Sequence, residues 1–313
     1  MTHRALITGA AGFVGRRLSS YLVDEGWEVY TTDYQGDVDH HADLCDSPAI
    51  QTLLHNAGTL THVFHLAAMA FVPHAGRDPV GAMDINLLGT IRLATALLDC
   101  PTLPRFIYIG SADAYGPPQF LPIIEEHPLR PQNPYAISKA AADQYCQYLS
   151  RSTDLEIIRI RPFNHSGPGQ SDQYVLSSFA RQVAAATLHP EAATIKVGNL
   201  EAARDFAHVD DIIRGYAALA LDGIPSQAYN LCSGKARNIS YALDTLISFT
   251  DTPIQVEEDP ERMRPVDVPL VEGCYDKAKL DARWEPAIPF ETMLKELYDY
   301  WLETLQAEER NAP

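Results

Sequence analysis

Apolar residues along this chain fall into short runs separated by longer stretches with helical spacing. The runs Ala5–Thr8, Glu28–Thr32, His62–Leu66, Phe106–Ile109 and Leu155–Ile160 predict strands, and the segments between them predict helices. Strands alternating with helices specify an α/β unit, a parallel sheet covered on both faces, with ligands at the carboxyl ends of the strands. Beyond Asn164 the rhythm changes. Pro168, Pro190, Pro260, Pro265, Pro269, Pro286 and Pro289 punctuate shorter helices there, which predicts a smaller mixed C-terminal lobe. The run Ala228–Cys232 predicts a strand returning to the main sheet. The expected organisation is therefore 1–164 plus a return segment 205–232 as one domain, and 165–204 plus 233–313 as the lobe. The acidic tail from Leu305 is expected to fray.

The turn after the first strand adds chemistry. Gly9, Gly12, Phe13, Val14 and Gly15 lie in Leu6-Ile7-Thr8-Gly9-Ala10-Ala11-Gly12-Phe13-Val14-Gly15, a glycine-rich turn leading into a helix. The free amides and positive end of such a helix suit a pyrophosphate, although the spacing is G-x-x-G-x-x-G rather than G-x-G-x-x-G. Asp33 ends the second strand, where a carboxylate accepts hydrogen bonds from the adenosine ribose hydroxyls and repels a 2′-phosphate. No Arg or Lys occurs in the stretch from Asp33 to Asp39. This reads as a Rossmann, doubly wound sheet binding NAD(H) in preference to NADP(H), with NADP(H) left open, and the C-terminal lobe becomes the candidate substrate lobe.

Composition narrows the classes of function. In 313 residues, 46% hydrophobic content supports a sizeable core and excludes general disorder. With 24 Lys plus Arg against 41 Asp plus Glu, the formal charge of -17 argues against nucleic-acid and anionic-membrane partners. No signal peptide or transmembrane span is expected, so the reading is cytoplasmic. Five cysteines, Cys45, Cys100, Cys146, Cys232 and Cys274, lack metal-ligand spacing and read as ordinary thiols. His40 and His41 read as a solvated loop, and no metal is expected.

The reactive groups sit at Tyr135 and Lys139, four residues apart and so on one face of a helix that Pro134 can start. An ammonium and a cationic nicotinamide both favour the phenolate and suit Tyr135 to acid/base work. Such a pair alone is common on ordinary amphipathic helices. Ser111, after the fourth strand, adds a hydroxyl at the ligand crevice, and Leu66-Ala67-Ala68 after the third strand would let a cofactor approach the backbone. His65 reads as a core histidine.

These motifs resemble the extended short-chain dehydrogenase/reductase family, whose nucleotide-sugar enzymes share the glycine pattern, a Ser/Thr and Y-x-x-x-K. The resemblance implies that Ser111, Tyr135 and Lys139 are catalytic, with Tyr135 and Lys139 also holding the cofactor, and that Asp43 and Leu44 contact the adenine. It places Asn86, Ser111 and Ala112 on the substrate side, though Asn86 reads equally as a helix residue bonded to backbone. Three segments, Arg161–Gln170, Gly198–Phe206 and Arg262–Pro269, resemble the GDP-sugar branch. By that likeness Asn164, Arg204, Arg264 and Asp267 hold a GDP-sugar, through phosphate oxygens in the case of the arginines, while Arg262 reads equally as a surface ion pair. The implied reaction is reduction of the C4 ketone of GDP-4-dehydro-6-deoxy-D-mannose. Asp113, at the position of the dehydratases' carboxylate, keeps a 4,6-dehydratase open, and a UDP-sugar 4-epimerase and a non-catalytic NAD(H) sensor stay open beside it. The resemblance also implies a homodimer pairing helices within Asn86–Leu98 and Ala140–Leu149.

Overall fold

The structure, a computed structural model, describes residues 3–262 and 268–310. Its strands are β1 (Arg4–Thr8), β2 (Glu28–Asp33), β3 (His40–His41), β4 (His62–His65), β5 (Arg105–Ile109), β6 (Ile157–Pro162), β7 (Asn164–Ser166), β8 (Thr194–Val197), β9 (Ala203–His208), β10 (Ala228–Leu231), β11 (Ala236–Asn238) and β12 (Gln255–Glu258). Seven of them form an all-parallel sheet of order β10-β6-β5-β4-β1-β2-β3. The chain winds outward from β1 to β3 and then crosses to β4, so the order reverses between β1 and β4. That is the doubly wound Rossmann-like pattern, whose ligand crevice opens at this switch point.

Burial on both faces explains the near-continuous apolar strands. Leu6, Val63, Phe106 and Ile157 pack from the sheet against Ile50, Leu53, Leu93, Leu97, Cys146 and Leu149 of the helices. The strand expected from Leu155 begins instead at Ile157, because the Leu155 amide bonds to Thr153 Oγ1 rather than joining the ladder. His40 and His41, expected in a loop, pair with Thr32 and Asp33 as an edge strand, and the His41 ring bonds to the Gly36 carbonyl. One described helix, Pro79–Leu97, is long and apolar enough to cross a bilayer. Leu93, Ala94 and Leu97 on it belong to the sheet core and its Asn86 and Thr90 are buried and hydrogen-bonded, the pattern of a core helix.

The chain divides into two compact units: Met1–Phe163 with Ile213–Leu231 and Cys274–Glu285, and Asn164–Ile212 with Cys232–Gly273 and Pro286–Pro313. These boundaries depart from the expected ones for identifiable reasons. Asn164 opens β7, which pairs with β9 and not with the large sheet. Residues 205–212 stay in the second unit because the Asp205 carboxylate accepts the amides of Ser233, Gly234 and Gly273. Residues 274–285 join the first, where the Cys274 amide bonds to the Ile123 carbonyl and Tyr229 donates to Asp281.

The second unit contains a mixed sheet, β11-β9-β7, and a parallel pair, β12-β8. Phe179, Val183, Phe206, Leu243, Leu294 and Leu297 form its core. The tail does not fray over 305–310: the helix Phe290–Arg310 runs through it, with Trp301, Leu302 and Leu305 packed against this core.

Candidate active site

The glycine turn lies at the carboxyl end of β1. Gly9 adopts φ +71°, and a Cβ there would sit 2.6 Å from the Ala67 amide nitrogen, so only glycine allows the turn after β4 to approach this closely. Gly15, in the first turn of the helix Phe13–Asp24, packs against the Gly9 carbonyl and the Ala10 Cα, which seats the helix directly on the loop. Gly12 caps that helix without a side chain, and its first turn carries no acidic residue, leaving Phe13 and Val14 at an end suited to an anion. Asp33 accepts hydrogen bonds from the Ala11 amide (3.1 Å) and the Tyr34 amide (2.8 Å), which hold its carboxylate beside the loop. This cradle fits a dinucleotide.

Other expected cofactor residues divide. Asp43 is exposed and accepts the Cys45 amide in a local turn. Leu44 is buried in the sheet core, so its side chain is not open to an adenine and only its backbone is left for that role. Leu66, Ala67 and Ala68 are half-buried in the turn beside Gly9, with the Leu66 and Ala67 amides bonded to the carbonyl and hydroxyl of Thr8.

The helix Pro134–Ser152, which carries Tyr135 and Lys139, is capped by Asn133, whose side chain accepts the Ala136 amide at 2.9 Å. Tyr135 lies one turn before Lys139 on this helix. Burial raises the Tyr216 hydroxyl, and the charge of Tyr135 adds to that rise. Lys139 is 3% exposed; its Nζ donates to the Ile109 carbonyl at 2.7 Å and lies 5.4 Å from the Tyr108 ring centre. Burial pushes its ammonium down to about 8. Ile109 ends β5, two residues before Ser111, so the ammonium sits beside the serine segment. Ser111 Oγ accepts the Asp113 amide at 3.1 Å, which leaves its own proton to be donated. Ala112 is half-buried and Asp113 exposed in the turn that follows.

Asn86 is buried in a stretch, Asp84–Gly89, where the helix widens to π geometry. Its side chain clasps Met69, accepting the amide at 2.8 Å and donating to the carbonyl, and also donates to Ser138 Oγ at 2.9 Å. Asn86 is thus fully engaged with protein groups.

A buried cluster that sequence reasoning missed ties the Tyr135 helix to the serine turn. Asp143, one turn after Lys139, accepts from Arg159 Nη1 (2.6 Å) and from Arg161 Nε and Nη2 (both 2.9 Å). Arg161 Nη1 donates to Tyr115 Oη, which donates to Asn230 Oδ1. Burial alone would raise the Asp143 carboxyl, but the Arg161 and Arg159 guanidiniums overrule it and hold it below the usual carboxylate range. The available signal was the pair of arginines in the otherwise apolar run Ile157-Ile158-Arg159-Ile160-Arg161, since a buried strand must supply a counter-charge.

In the second unit, Asn164 and Arg204 lie on adjacent strands. Asn164 pairs with Phe206, two residues from Arg204, so both point from the same face of the β11-β9-β7 sheet. Arg204 Nη1 donates to the Ala203 carbonyl. Arg262 donates to Ser178 Oγ and faces Asp259 at 3.5 Å. Arg264 and Asp267 lie outside the described residues.

Comparison with known proteins fits this arrangement. The family model described as GDP-mannose 4,6 dehydratase matches residues 6–297. The chain belongs to that family. It is 35% identical to a GDP-6-deoxy-D-mannose reductase of Pseudomonas aeruginosa over 303 residues, 96% of this chain and 98% of the relative. It is 26% identical to a UDP-glucose 4-epimerase of Halalkalibacterium halodurans, covering 94% of each. Among solved structures, RMD from Pseudomonas aeruginosa complexed with NADPH superposes with a TM-score of 0.89 at 33% identity, covering 97% of this chain and 100% of that one. The UDP-glucose 4-epimerase of Thermus thermophilus in complex with NAD gives 0.84 at 25%, covering 95% and 98%. The protein is thus an NAD(P)-dependent sugar-nucleotide oxidoreductase, as the glycine turn and the Tyr135–Lys139 pair imply.

Proposed function

We propose that this family member reduces the C4 ketone of GDP-4-dehydro-6-deoxy-D-mannose, giving GDP-D-rhamnose. The end-to-end likeness to a GDP-6-deoxy-D-mannose reductase, 35% over 96% and 98% of the two chains, carries this reading. When bound in the Gly9–Gly15 cradle, a nicotinamide cofactor would supply the hydride for the carbonyl carbon. Ser111 donates a hydrogen bond to the ketone oxygen and orients it while keeping its own proton, and Tyr135 transfers its proton to that oxygen as alkoxide charge develops. Lys139, charged and desolvated beside β5, holds the nicotinamide ribose and stabilises the phenolate left on Tyr135. Arg204 and Arg264 hold the phosphate or ribose end of the GDP-sugar, Asp267 a ribose, and Asn164 also holds the substrate. Asp33 makes NADH the better cofactor, even though RMD from Pseudomonas aeruginosa was crystallised with NADPH.

The purified protein, incubated with enzymatically generated GDP-4-dehydro-6-deoxymannose and NADH, should oxidise NADH and yield a product that NMR identifies as the rhamnose epimer. The talose epimer would change the substrate pose. No NADH oxidation would sink the reductase reading.

A second reading rests on Asp113, exposed two residues after Ser111, whose carboxylate would abstract the C5 proton in a dehydratase. Conversion of GDP-mannose to the 4-keto sugar without net NADH consumption would favour this dehydratase. We also propose a homodimer through the helices Pro79–Leu97 and Pro134–Ser152, where Leu88, Ile137 and Tyr148 are exposed. Light scattering reporting only monomer at micromolar concentration would exclude it.

A further inference from the structure

Between the glycine turn and the Tyr135 helix lies a buried histidine that the proposed reaction does not use. His65, at the end of β4, is 1% exposed. Its Nδ1 is 2.8 Å from Thr8 Oγ1, the last residue before Gly9, and its Nε2 is 2.8 Å from Thr90 Oγ1 on the helix that carries Asn86.

The direction of each bond follows from its neighbours. Thr90 donates its single hydroxyl proton to the main-chain carbonyl of Asn86 at 2.7 Å, so its oxygen can only accept from the ring, and His65 Nε2 carries a proton. The ring is stacked on Phe106 and tilted against Tyr108, and the charged group that faces it is the Lys139 ammonium. Burial and that like charge keep the imidazole neutral, down to about 3. Nδ1 then accepts the Thr8 hydroxyl proton, and the Thr8 oxygen accepts the Ala67 amide at 3.3 Å. From Asn86 the line continues: the side chain clasps Met69 and donates to Ser138 Oγ, which donates to the Tyr135 carbonyl at 2.7 Å.

We infer that His65 is a positioning residue, a neutral imidazole fixed as the Nε2–H tautomer, that locks the Gly9–Ala67 cofactor cradle to the carbonyl of Tyr135 through two runs of hydrogen bonds of one direction, joined covalently through Asn86. Every hydroxyl on this line has its only proton committed, so the ring can neither flip nor relay a proton without breaking two buried bonds. The consequence is geometric. The wall against which the cofactor rests and the helix turn that bears the phenol are one piece, which keeps the hydride-accepting carbon and the proton donor in register. Displacements of about 1 Å at such a site cost on the order of a hundredfold in rate.

Two measurements test this, and the first does not depend on the sugar substrate. In 15N-histidine-labelled protein, with and without NADH, the His65 ring should display a protonated Nε2 and a bare Nδ1, unchanged from pH 5.5 to 8. An Nδ1–H tautomer, or titration within that range, overturns the assignment. The second rests on the reductase reading and compares Thr90→Val, which keeps shape but loses both bonds, with Thr90→Ser, which keeps them. Single-turnover hydride transfer should slow about tenfold or more in Thr90→Val at 25 °C, measured on folded protein. Thr90→Ser should restore it, with NADH affinity in both within about threefold of the parent. A rate in Thr90→Val within twofold of the parent, or a serine variant as slow as the valine one, contradicts the positioning role. Should the valine variant not fold, the ring assignment in the parent protein still tests the bond directions on which the positioning role rests, and Thr90→Ser with slowed hydride transfer still contradicts that role.

Discussion

Lys139 donates its ammonium to the Ile109 carbonyl at 2.7 Å from a position almost closed to solvent, so this charge is held at a cost to the fold. Its folded-state value, about 8, lies below the unfolded value near 10.5. Below pH 8 the ammonium is charged in both states and the full desolvation penalty applies; between 8 and 10.5 the folded state releases its proton first and stability rises with pH. Lys139→Met should therefore unfold at higher urea than the parent at pH 7, by about 1–3 kcal/mol, and this advantage should shrink as pH rises through that window. The same variant should lose NADH affinity and turnover. A variant less stable than the parent at pH 7, or with unchanged NADH affinity, would contradict these roles.

Tyr135→Phe removes the proposed acid but keeps the ring. Reduction should fall by about a hundredfold or more while NADH affinity, read by fluorescence titration, stays near the parental value. Turnover close to the parent would take Tyr135 out of the acid role.

Asp33 is anchored by two backbone amides at the end of β2. The parent protein should show a higher kcat/KM with NADH than with NADPH, and Asp33→Ala should narrow the gap. Preference for NADPH in the parent would mean that the 2′-phosphate is received by groups other than those near Asp33.

The Asp143 carboxylate balances two buried guanidiniums. Asp143→Ala should cost about 3–5 kcal/mol in urea unfolding, because it strands Arg159 and Arg161 without a counter-charge. Since the folded Asp143 carboxyl is depressed, its contribution is present above the unfolded value of about 3.9 and is lost as pH falls through the folded one. A loss under 1 kcal/mol would mean water reaches the cluster.

Arg204→Ala should mainly raise the KM for the GDP-sugar, with NADH affinity nearly unchanged. A charge-assisted bond of about 1.5–3 kcal/mol predicts roughly a ten- to hundredfold loss in kcat/KM. Parental kinetics, or equal use of UDP-sugars, would reduce Arg204 to a surface charge.

What could be read from the sequence was local or periodic. The alternation of apolar runs with helical spacing specified the parallel sheet, because a strand buried on both faces must be apolar throughout. Gly9 and Gly15 at their spacing specified a tight turn under a helix, because side chains there would collide with backbone. Tyr135 and Lys139 were legible as a pair because four residues bring two side chains to one helical face. Tertiary structure decided everything that depended on register between distant segments. Thr8 meets His65 across 57 residues, and Asp205 meets Gly273 across 68. Cys274–Glu285 joined the sheet unit, and 205–212 the other, through contacts of the same kind. A buried polar group must find a partner, but composition and periodicity do not say which; that choice is made only when the strands align.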